Sequence, residues 1–264
     1  MVVQSGKTAL ITGASTGIGA EFARQLGSRG MNLVLVARSE DKLKALADRL
    51  IKQHGISADI IVADLTKPDE VSRVVTTTRG LGREIHLLIN NAGFATFGRF
   101  EEQDPNREQD EVSLNVLALV ALTHAYLPGM LERHAGGIIQ VASIAGFQPV
   151  PYMAIYGATK AFVLSFSEAL WAEVRPRGVT VLALCPGPVA TPFFEVAGAE
   201  QVAVGKLDTA ENVVATALRA LERGKSFVIP GPPSNRFLTF LTRLGSRATV
   251  ARIAEKMMRP KPLA

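Results

Sequence analysis

The sequence predicts an α/β fold with a single doubly wound parallel sheet of about seven strands and helices on both faces. Short apolar segments with many β-branched residues alternate with longer segments of helical periodicity, which is typical of parallel strands buried on both faces. No Pro/Gly/Ser-rich linker or internal repeat interrupts the 264 residues. One domain over residues 1–232 is therefore expected, followed by a helical tail over residues 233–264.

A glycine-rich turn separates the first predicted strand from the first predicted helix. Residues 8–11 are apolar, residues 12–19 read TGASTGIG, and residues 20–29 have a helical periodicity that stops at Gly30. Glycines allow the backbone to approach a pyrophosphate, and the N-terminus of a helix offers free N–H groups and a partial positive charge. Taken alone, such a turn is also compatible with an ordinary tight loop.

The next three strands are predicted at residues 32–36, 58–63 and 86–89. They are followed, in order, by Ala37 and Arg38, by Asp64 and Leu65, and by Asn90-Asn91-Ala92-Gly93. Ser39 is predicted to cap one helix, and residues 66–69 are predicted to begin another with a capping box. The distance from the glycine turn to the end of the second strand suits a contact with a nucleotide ribose.

The second half of the chain repeats this alternation. Residues 106–132 are predicted to form a long helix that carries Asn115, and residues 153–174 a second helix that carries Tyr156 and Lys160. Strands are predicted at residues 137–142, 179–184 and 226–229, and one further helix at residues 208–224. Ser143 follows the first of these strands, and Pro186-Gly187 follows the second. Ligands bind beyond the carboxyl ends of parallel strands, so the residues that follow the strands are expected to lie together.

Tyr156 and Lys160 are four residues apart and share one face of their helix. A tyrosine ionises at about pH 10, but a nearby ammonium favours the phenolate and lowers the pKa. The pair is therefore a candidate general acid or base. The alternatives are an aromatic core residue beside a solvated lysine, a structural hydrogen-bonding role for Asn115 and a turn cap for Ser143.

Composition argues against several classes of function. The net charge is +5, but residues 233–264 carry seven basic residues and one acidic residue, so the rest of the chain offers no basic surface for nucleic acid. Cys185 is the only cysteine, which suits a cytoplasmic protein. No signal peptide, no metal site and no apolar stretch approaching the roughly 20 residues that span a bilayer is expected.

The chain resembles the short-chain dehydrogenase/reductase family from about residue 7 to residue 231. The resemblance rests on Thr12-Gly13-Ala14-Ser15-Thr16-Gly17-Ile18-Gly19, Asn90-Asn91-Ala92-Gly93, Asn115, Ser143, Tyr156-Gly157-Ala158-Thr159-Lys160 and Pro186-Gly187. It implies a Rossmann-type sheet with the strand order 3-2-1-4-5-6-7. It also implies a reversible hydride transfer between a nicotinamide and an alcohol/ketone pair.

The resemblance implies a role for each catalytic residue. Tyr156 is expected to be the acid in reduction and the base in oxidation, while Lys160 lowers its pKa and holds the nicotinamide ribose. Ser143 is expected to hydrogen-bond the substrate oxygen. Asn115 is expected to hold a water that relays protons toward Lys160.

The resemblance also implies a set of contacts to the cofactor. Besides Tyr156 and Lys160, they are Gly13, Ser15, Thr16, Gly17, Ile18, Gly19, Arg38, Asp64, Leu65, Asn91, Ala92, Gly93, Pro186, Gly187, Val189 and Thr191. Asp64 is similar to the family's adenine contact, and Asn91 and Gly93 are expected on the adenosine side. Thr191 is similar to the residue that holds the carboxamide.

NADP(H) is predicted rather than NAD(H). An NAD enzyme commonly has an acidic residue at the end of the second strand, whereas this chain has Ala37 there, followed by Arg38. A planar guanidinium suits a 2′-phosphate, although a plain surface arginine is the alternative. Many NADPH-using relatives have a basic residue where this chain has Ser15 and Thr16, so phosphate recognition is expected to depend mainly on Arg38.

A lipophilic carbonyl or alcohol substrate is expected, because the residues beside the motifs are apolar. They are Phe94, Phe147, Val150, Met153, Phe193 and Phe194. Ordinary core packing is the alternative role for these side chains. A homodimer or homotetramer is expected by analogy with relatives that pair through the helices containing Asn115 and Tyr156.

The tail has the pattern of a basic amphipathic helix with a break at residues 245–246. Its apolar residues at helical spacing are Phe237, Phe240, Leu241, Leu244, Val250, Ile253, Ala254 and Met257, and its opposite face carries Arg236, Arg243 and Arg247. Such a helix either lies on an anionic membrane or buries its apolar face against protein. Peripheral membrane contact, packing over the substrate cleft and a subunit contact all remain open.

Two other functions are compatible with these patterns. One is a catalytically silent relative that senses nucleotides and binds a protein partner. The other is a scaffold or membrane adaptor in which the tail is the main functional element. Silent relatives usually lose the tyrosine or the lysine, whereas all four catalytic positions are filled here.

Overall fold

The computed structural model describes residues 2–199, 207–242 and 244–260. The strands are β1 Thr8–Thr12, β2 Asn32–Ala37, β3 Ala58–Val62, β4 Ile85–Asn90, β5 Gly136–Val141, β6 Val179–Leu184 and β7 Phe227–Val228. They form one sheet in the order β3-β2-β1-β4-β5-β6-β7, and every neighbouring pair is parallel. The predicted fold class and strand order are confirmed.

Helices connect the strands and cover both faces of the sheet. They are α1 Gly17–Gly27, α2 Glu40–His54, α3 Pro68–Gly80, α4 Pro105–Val112, α5 Leu119–Glu132, α6 Ala154–Val174, α7 Phe193–Ala197, α8 Ala210–Glu222, α9 Pro233–Leu241 and α10 Arg247–Met258. A π-helical turn, Ser113–Ala118, joins α4 to α5, so that one continuous helix runs over Pro105–Glu132. Short 3-10 turns lie at Phe100–Glu102, Ile144–Phe147 and Arg175–Arg177.

Two apolar cores lie on the two faces of the sheet. Successive strand side chains point to opposite faces, and Ile11 accordingly belongs to a cluster with Phe22 of α1. Leu10 belongs to the other cluster, which includes Leu122 of α5. All four side chains are almost fully buried. This double burial holds the strands and helices rigidly, and the carboxyl ends of the strands become a fixed platform.

A buried polar network attaches α5 to the sheet. The Asn90 Nδ2 group donates to Gln140 Oε1 at 2.9 Å and to Thr123 Oγ1 at 3.1 Å. Gln140 Nε2 donates to the same Thr123 oxygen at 2.8 Å. Buried polar groups need such partners, so the network fixes the long helix relative to β4 and β5.

The predicted starts of two helices, and the predicted cap of a third, need correction. α1 begins at Gly17, inside the glycine turn, and not at residue 20. Ser39 occupies the N-cap position of α2 but makes no capping hydrogen bond with its side chain. The capping box predicted at residues 66–69 is wrong, because Lys67 is the N-cap of α3 and the Thr66 hydroxyl donates to Asp64 Oδ1.

The helix Pro105–Glu132 departs from the expectation that no segment is long and apolar enough for a bilayer. By length and composition alone its 28 residues could cross a membrane. However, Glu111 and Asn115 on this helix are fully buried inside the protein. The core helix of a soluble protein can have the same length and composition, so these two properties do not identify a membrane span.

Candidate functional site

Asn91 holds the glycine turn against the end of β4. Its Nδ2 group donates to the carbonyl oxygens of Thr12 at 2.9 Å and Gly13 at 3.2 Å. The Thr12 hydroxyl oxygen accepts from the backbone N–H groups of Asn91 at 2.9 Å and Ala92 at 3.0 Å. The Asn91 side chain, predicted to line the adenosine side, is therefore committed to positioning the turn itself.

The glycine turn leaves space for a ligand at the start of α1. Gly13 and Gly17 have φ angles of 64° and 54°, which favour glycine. Thr16 is exposed, and its side chain makes no capping hydrogen bond to α1. The first N–H groups of the helix thus have no side-chain cap, an arrangement that suits a pyrophosphate.

The residues after β2 and β3 lie beside this turn in the sheet order. Arg38 is exposed, and within residues 2–199, 207–242 and 244–260 no hydrogen bond or ion pair engages its guanidinium. Asp64 Oδ1 accepts from the backbone N–H of Thr66 at 3.1 Å and from its hydroxyl at 2.9 Å. Leu65 is buried, whereas Arg38 presents an exposed guanidinium at this edge.

Ser143, Tyr156 and Lys160 converge at the carboxyl end of β5. Tyr156 and Lys160 lie on α6 with exposed fractions of 9% and 5%, and Ser143 lies close enough to the Tyr156 hydroxyl to oppose the effect of burial on its pKa. The Ser143 oxygen accepts from the backbone N–H of Ala145 at 3.1 Å. Lys160 Nζ donates to the carbonyl oxygen of Val141 at 2.8 Å and lies 5.6 Å from the centre of the Tyr156 ring.

Burial dominates the pKa of both α6 side chains. It raises the pKa of Tyr156 to about 12; the nearby Ser143 hydroxyl opposes this rise, and the charge of Glu111 adds to it. Burial lowers the pKa of Lys160 to about 8, against the effect of Glu111. The tyrosine pKa therefore lies above its ordinary value, contrary to the lowering expected from Lys160, because burial penalises the phenolate. Tyr156 is a neutral phenol at pH 7, the form that donates a proton.

Asn115 connects the loop after β4 to α6. Its Nδ2 group donates to the Phe94 carbonyl oxygen at 3.0 Å and to Thr159 Oγ1 at 3.1 Å, and its Oδ1 accepts from the Phe94 N–H at 3.2 Å. The side chain thus has the structural role that was left open from the sequence. Asn115 also lies in the π-helical turn, a rare distortion that is frequent at functional sites.

The loop after β6 closes the same edge of the sheet. The backbone N–H of Ile144 donates to the Pro186 carbonyl oxygen at 3.0 Å. A Cβ atom placed on Gly17 would lie 3.2 Å from Thr191 Cγ2, so Thr191 sits beside the glycine turn. Val189 is buried and forms a bridge with Asp208. The structure therefore brings predicted site residues from both halves of the chain to the carboxyl edge of the sheet.

A comparison with protein families shows which family this chain belongs to. The family model described as short chain dehydrogenase matches residues 7–202. The chain belongs to the short-chain dehydrogenase family.

Curated and solved relatives of this short-chain dehydrogenase are similar over most of its length. Very-long-chain 3-oxoacyl-CoA reductase of Anas platyrhynchos is 35% identical over 196 residues, 72% of this chain and 62% of that protein. Inactive hydroxysteroid dehydrogenase-like protein 1 of Homo sapiens is 33% identical over 193 residues, 72% and 58% of the two chains. A short-chain dehydrogenase from Sphingobium yanoikuyae in complex with NADPH is 35% identical, with a TM-score of 0.82 and 98% of both chains covered. The chain spans about three fifths of the length of these curated relatives.

An apolar cluster surrounds Tyr156 in this short-chain dehydrogenase. Val150 and Met153 are buried in it. The Phe193 ring lies 5.5 Å from the rings of both Tyr156 and Phe194. Four of the six apolar residues singled out from the sequence therefore gather at the tyrosine.

Phe94 and Phe147 lie outside the apolar cluster around Tyr156. The guanidinium of Arg107 lies 5.6 Å from the centre of the Phe94 ring. The Phe147 ring lies 6.1 Å from the Phe227 ring, beside a groove of about 540 Å³ between β7 and α9. These two residues thus contribute to other parts of the surface.

Sequence reasoning missed Glu111, which the structure places next to the catalytic candidates. The side chain is fully buried, and its Oε2 atom accepts from the backbone N–H of Thr96 at 2.9 Å and from its hydroxyl at 2.8 Å. Glu111 precedes Asn115 by four residues, so one helix face carries both. That spacing was the available signal, but it does not reveal burial.

Proposed function

We propose that this short-chain dehydrogenase interconverts a ketone or aldehyde with the corresponding alcohol, using NADP(H). The observation that carries the proposal is the convergence of Ser143, Tyr156 and Lys160 at the carboxyl edge of the sheet, which also carries the glycine turn after β1. The proposal is supported by the relative from Anas platyrhynchos, which is named as a reductase. It is also supported by the solved relative in complex with NADPH.

The residues present fit a dinucleotide. The uncapped N-terminus of α1 offers N–H groups to phosphate oxygens, and the turn that leads to it has no side chain at Gly13, Gly17 or Gly19. The exposed guanidinium of Arg38 is suited to a 2′-phosphate. When bound, the nicotinamide would supply or accept the hydride.

The side chains around Tyr156 control the proton that accompanies this chemistry. Negative charge develops on the substrate oxygen during reduction, and donors aimed at that oxygen stabilise it. The neutral Tyr156 phenol donates its proton there, while Ser143 donates a hydrogen bond. Lys160, beside the Tyr156 ring, stabilises the phenolate that remains. Phe193 and its apolar neighbours exclude water from the reacting groups.

The substrate class we propose is a lipophilic carbonyl compound or alcohol. The surface next to Tyr156 consists mainly of aliphatic and aromatic side chains, including Val150, Met153, Phe193 and Phe194. Apolar surface of this kind binds apolar ligand groups at about 25 cal/mol per Å² removed from water. A panel of carbonyl compounds of increasing chain length, assayed with NADPH, tests this class, and a preference for sugars would contradict it.

Replacing Arg38 with alanine is expected to remove a preference for NADPH over NADH. A charge-assisted hydrogen bond contributes about 1.5–3 kcal/mol, so the Kd for NADPH should rise by roughly 10- to 100-fold. The Kd for NADH should change little, because NADH lacks the 2′-phosphate. Fluorescence titration measures both constants. The exposed Arg177, before β6 at the opposite edge, provides the control variant Arg177→Ala. Equal affinities of the unmodified protein for the two cofactors would contradict the assignment.

A homodimer or homotetramer remains our proposal for the assembly. Leu117 and Phe162 lie on the two helices that correspond, by analogy, to those through which relatives form dimers or tetramers. The exposed fractions of Leu117 and Phe162 are 59% and 43%. Phe162 also stacks on Phe166 with a centroid distance of 5.8 Å. Large exposed apolar side chains favour a protein contact at this surface. The mass of the protein in solution, measured by light scattering, tests this proposal.

The tail forms two helices, α9 and α10, that pack against the domain on one side only. Ala254 is buried, and Met258 contacts the apolar cluster around Tyr156. Tyr152 donates a hydrogen bond to Glu255 Oε1 at 2.8 Å. The large apolar residues of the tail that remain exposed are Phe237, Leu238, Phe240, Leu241, Leu244, Ile253 and Met257. Arg243 and Lys261 lie outside the described residues.

For this exposed side of the tail we propose weak, reversible attachment to an anionic membrane surface. The net charge of residues 233–264 is +6, which disfavours contact with a second copy of the same surface. Each basic residue near an anionic membrane contributes on the order of 1 kcal/mol, and added salt screens this attraction. The protein is therefore expected to be cytoplasmic and peripheral at a membrane.

Vesicle flotation should show the full-length protein bound to anionic vesicles at low salt and released at high salt. The double variant Phe237→Ser/Phe240→Ser should lose most binding, because it removes two exposed apolar side chains. The matched control is Leu81→Ser/Phe100→Ser, which alters exposed apolar residues elsewhere. A protein truncated before Ser234 should not float. Failure to float at low salt, or equal flotation of all variants, would favour a purely protein-packing role.

A further inference from the structure

The buried carboxyl group of Glu111 has no role in the mechanism proposed above. Glu111 is 0% exposed near the end of α4. Its Oε2 atom accepts both hydrogen bonds from Thr96, whereas Oε1 is buried and has no hydrogen-bond partner among the described residues. A buried, half-satisfied carboxyl group is costly. Its presence beside a reactive site therefore calls for a functional explanation.

The charged groups around Glu111 belong to the candidate active site. From α6, Lys160 and Tyr156 lie close enough for the carboxylate charge to act on both of them, and Glu108 acts on Glu111 from the same helix. One turn further along, Asn115 binds Thr159 at 3.1 Å, so the two helices are tied together at this point. A Cβ atom placed on Gly93 would lie 2.8 Å from Asn115 Oδ1 and 3.6 Å from Lys160 Nζ, so the Lys160 ammonium lies next to the side chain one turn after Glu111.

Cys185 also lies near Lys160 and carries no charge. Burial raises the pKa of the Cys185 thiol far above its usual range, so this group stays neutral at working pH. The ammonium of Lys160 is otherwise held by the neutral carbonyl oxygen of Val141. Glu111 is thus the carboxylate whose charge offsets the burial of this ammonium.

We propose that Glu111 is a positioning residue for the proton chemistry: its buried carboxylate keeps Lys160 protonated and sets the pH range of the Tyr156–Lys160 pair. The proposal rests on the proposed function, because it uses the roles assigned there to Tyr156 and Lys160. Glu111 acts through these residues and not through contact with the substrate.

The sign of the effect follows from the charge. Burial raises the pKa of Glu111 to about 7, against the effect of the hydrogen bonds from Thr96. Above that pH the carboxylate is charged, and its charge raises the pKa of both Lys160 and Tyr156. Replacing Glu111 with glutamine removes the charge at nearly constant volume. Both pKa values should then fall.

The first measurement needs neither substrate nor cofactor. In protein labelled with ¹³C-lysine, the Cε resonance of Lys160 reports the loss of its proton as the pH rises. Glu111→Gln should move this titration to lower pH by roughly one unit, the lower end of the shift that a nearby charge causes. Glu108→Gln is the matched control, because it removes the same charge from the same helix at a partly exposed position. It should move the titration far less.

The second measurement is the pH profile of kcat/KM for reduction of 2-decanone with NADPH. Loss of activity at alkaline pH should begin at lower pH in Glu111→Gln, because Lys160 loses its proton earlier. In oxidation of 2-decanol with NADP⁺, the rise of activity from the acid side should also move to lower pH. A merely structural defect would reduce kcat at every pH without changing the pH at which reduction activity falls or oxidation activity rises.

A second variant covers the case in which Glu111→Gln does not fold. Thr96→Val removes the hydroxyl that stabilises the carboxylate but keeps Glu111 itself. The pKa of Glu111 should rise, so the variant should resemble Glu111→Gln near neutral pH and approach the unmodified protein at higher pH. Unchanged Lys160 titration in both variants would overturn the proposal, and so would a uniform loss of kcat. If the Lys160 shift occurs but the unmodified protein reduces no carbonyl compound, the coupling stands and the proposed function fails.

Discussion

Replacing Tyr156 with phenylalanine is expected to reduce kcat by roughly 10²- to 10⁴-fold, the usual contribution of a general acid. The variant loses the phenol that donates the proton but keeps the ring that packs 5.5 Å from Phe193. The Kd for NADPH should therefore stay close to that of the unmodified protein. Steady-state kinetics with a carbonyl substrate and fluorescence titration with NADPH measure the two quantities separately.

Tyr152→Phe is the matched control for this experiment. It removes the same hydroxyl group from a tyrosine whose partner is Glu255 of α10, and kcat should change little. Lys160→Ala should weaken both turnover and NADPH binding, because we propose that Lys160 stabilises the phenolate and expect it to hold the nicotinamide ribose. Near-normal kcat in Tyr156→Phe would refute the mechanism. A protein that binds NADPH but reduces no carbonyl compound would instead favour the catalytically silent alternative.

Replacing Gly19 with alanine is expected to disrupt the nucleotide turn and destabilise the fold. An added Cβ atom would overlap the Gly13 carbonyl oxygen and lie 2.5 Å from Asn91 Nδ2, the group that holds the turn. Overpacking of this kind costs about 1–3 kcal/mol, although alanine is the better helix former. Urea unfolding should show a lower free energy of unfolding. The Kd for NADPH should rise at least roughly tenfold, since a displaced N–H group loses a hydrogen bond to phosphate.

Gly80→Ala is the control for Gly19→Ala. Gly80 ends α3, and no atom lies within 4 Å of the position that an added Cβ atom would occupy. The control substitution should leave cofactor binding unchanged and should leave stability equal or slightly higher. Normal NADPH affinity in Gly19→Ala would show that the turn does not contact the cofactor.

The order and type of the elements could be predicted because they depend on local chemistry. The alternation of apolar strands and periodic helices is a property of residues close together in the chain. The glycine turn before Ala20, the strand-end positions of Arg38 and Ser143, and the shared face of Tyr156 and Lys160 follow from the same local patterns. The strand order followed from the family resemblance, which rests on these motifs. Each of these predictions required only spacing and residue type.

The tertiary structure decided which partner each side chain meets. Asn91 binds the glycine turn nearly 80 residues away, and Asn115 binds Thr159 of α6. Phe147 packs beside Phe227 and not in the cluster around Tyr156. No local pattern encodes these contacts, because a hydrogen bond or ring contact forms between whichever groups the finished fold brings together.

The protonation chemistry of the site was also decided by the tertiary structure. Spacing alone indicated that Lys160 would lower the pKa of Tyr156, whereas burial of the phenol raises it to about 12. Spacing also did not distinguish the fully buried Glu111 from the other acidic residues of its helix. Desolvation and the charges of distant neighbours set both outcomes. They act only after β5, α4 and α6 have packed together and excluded water from the side chains between them.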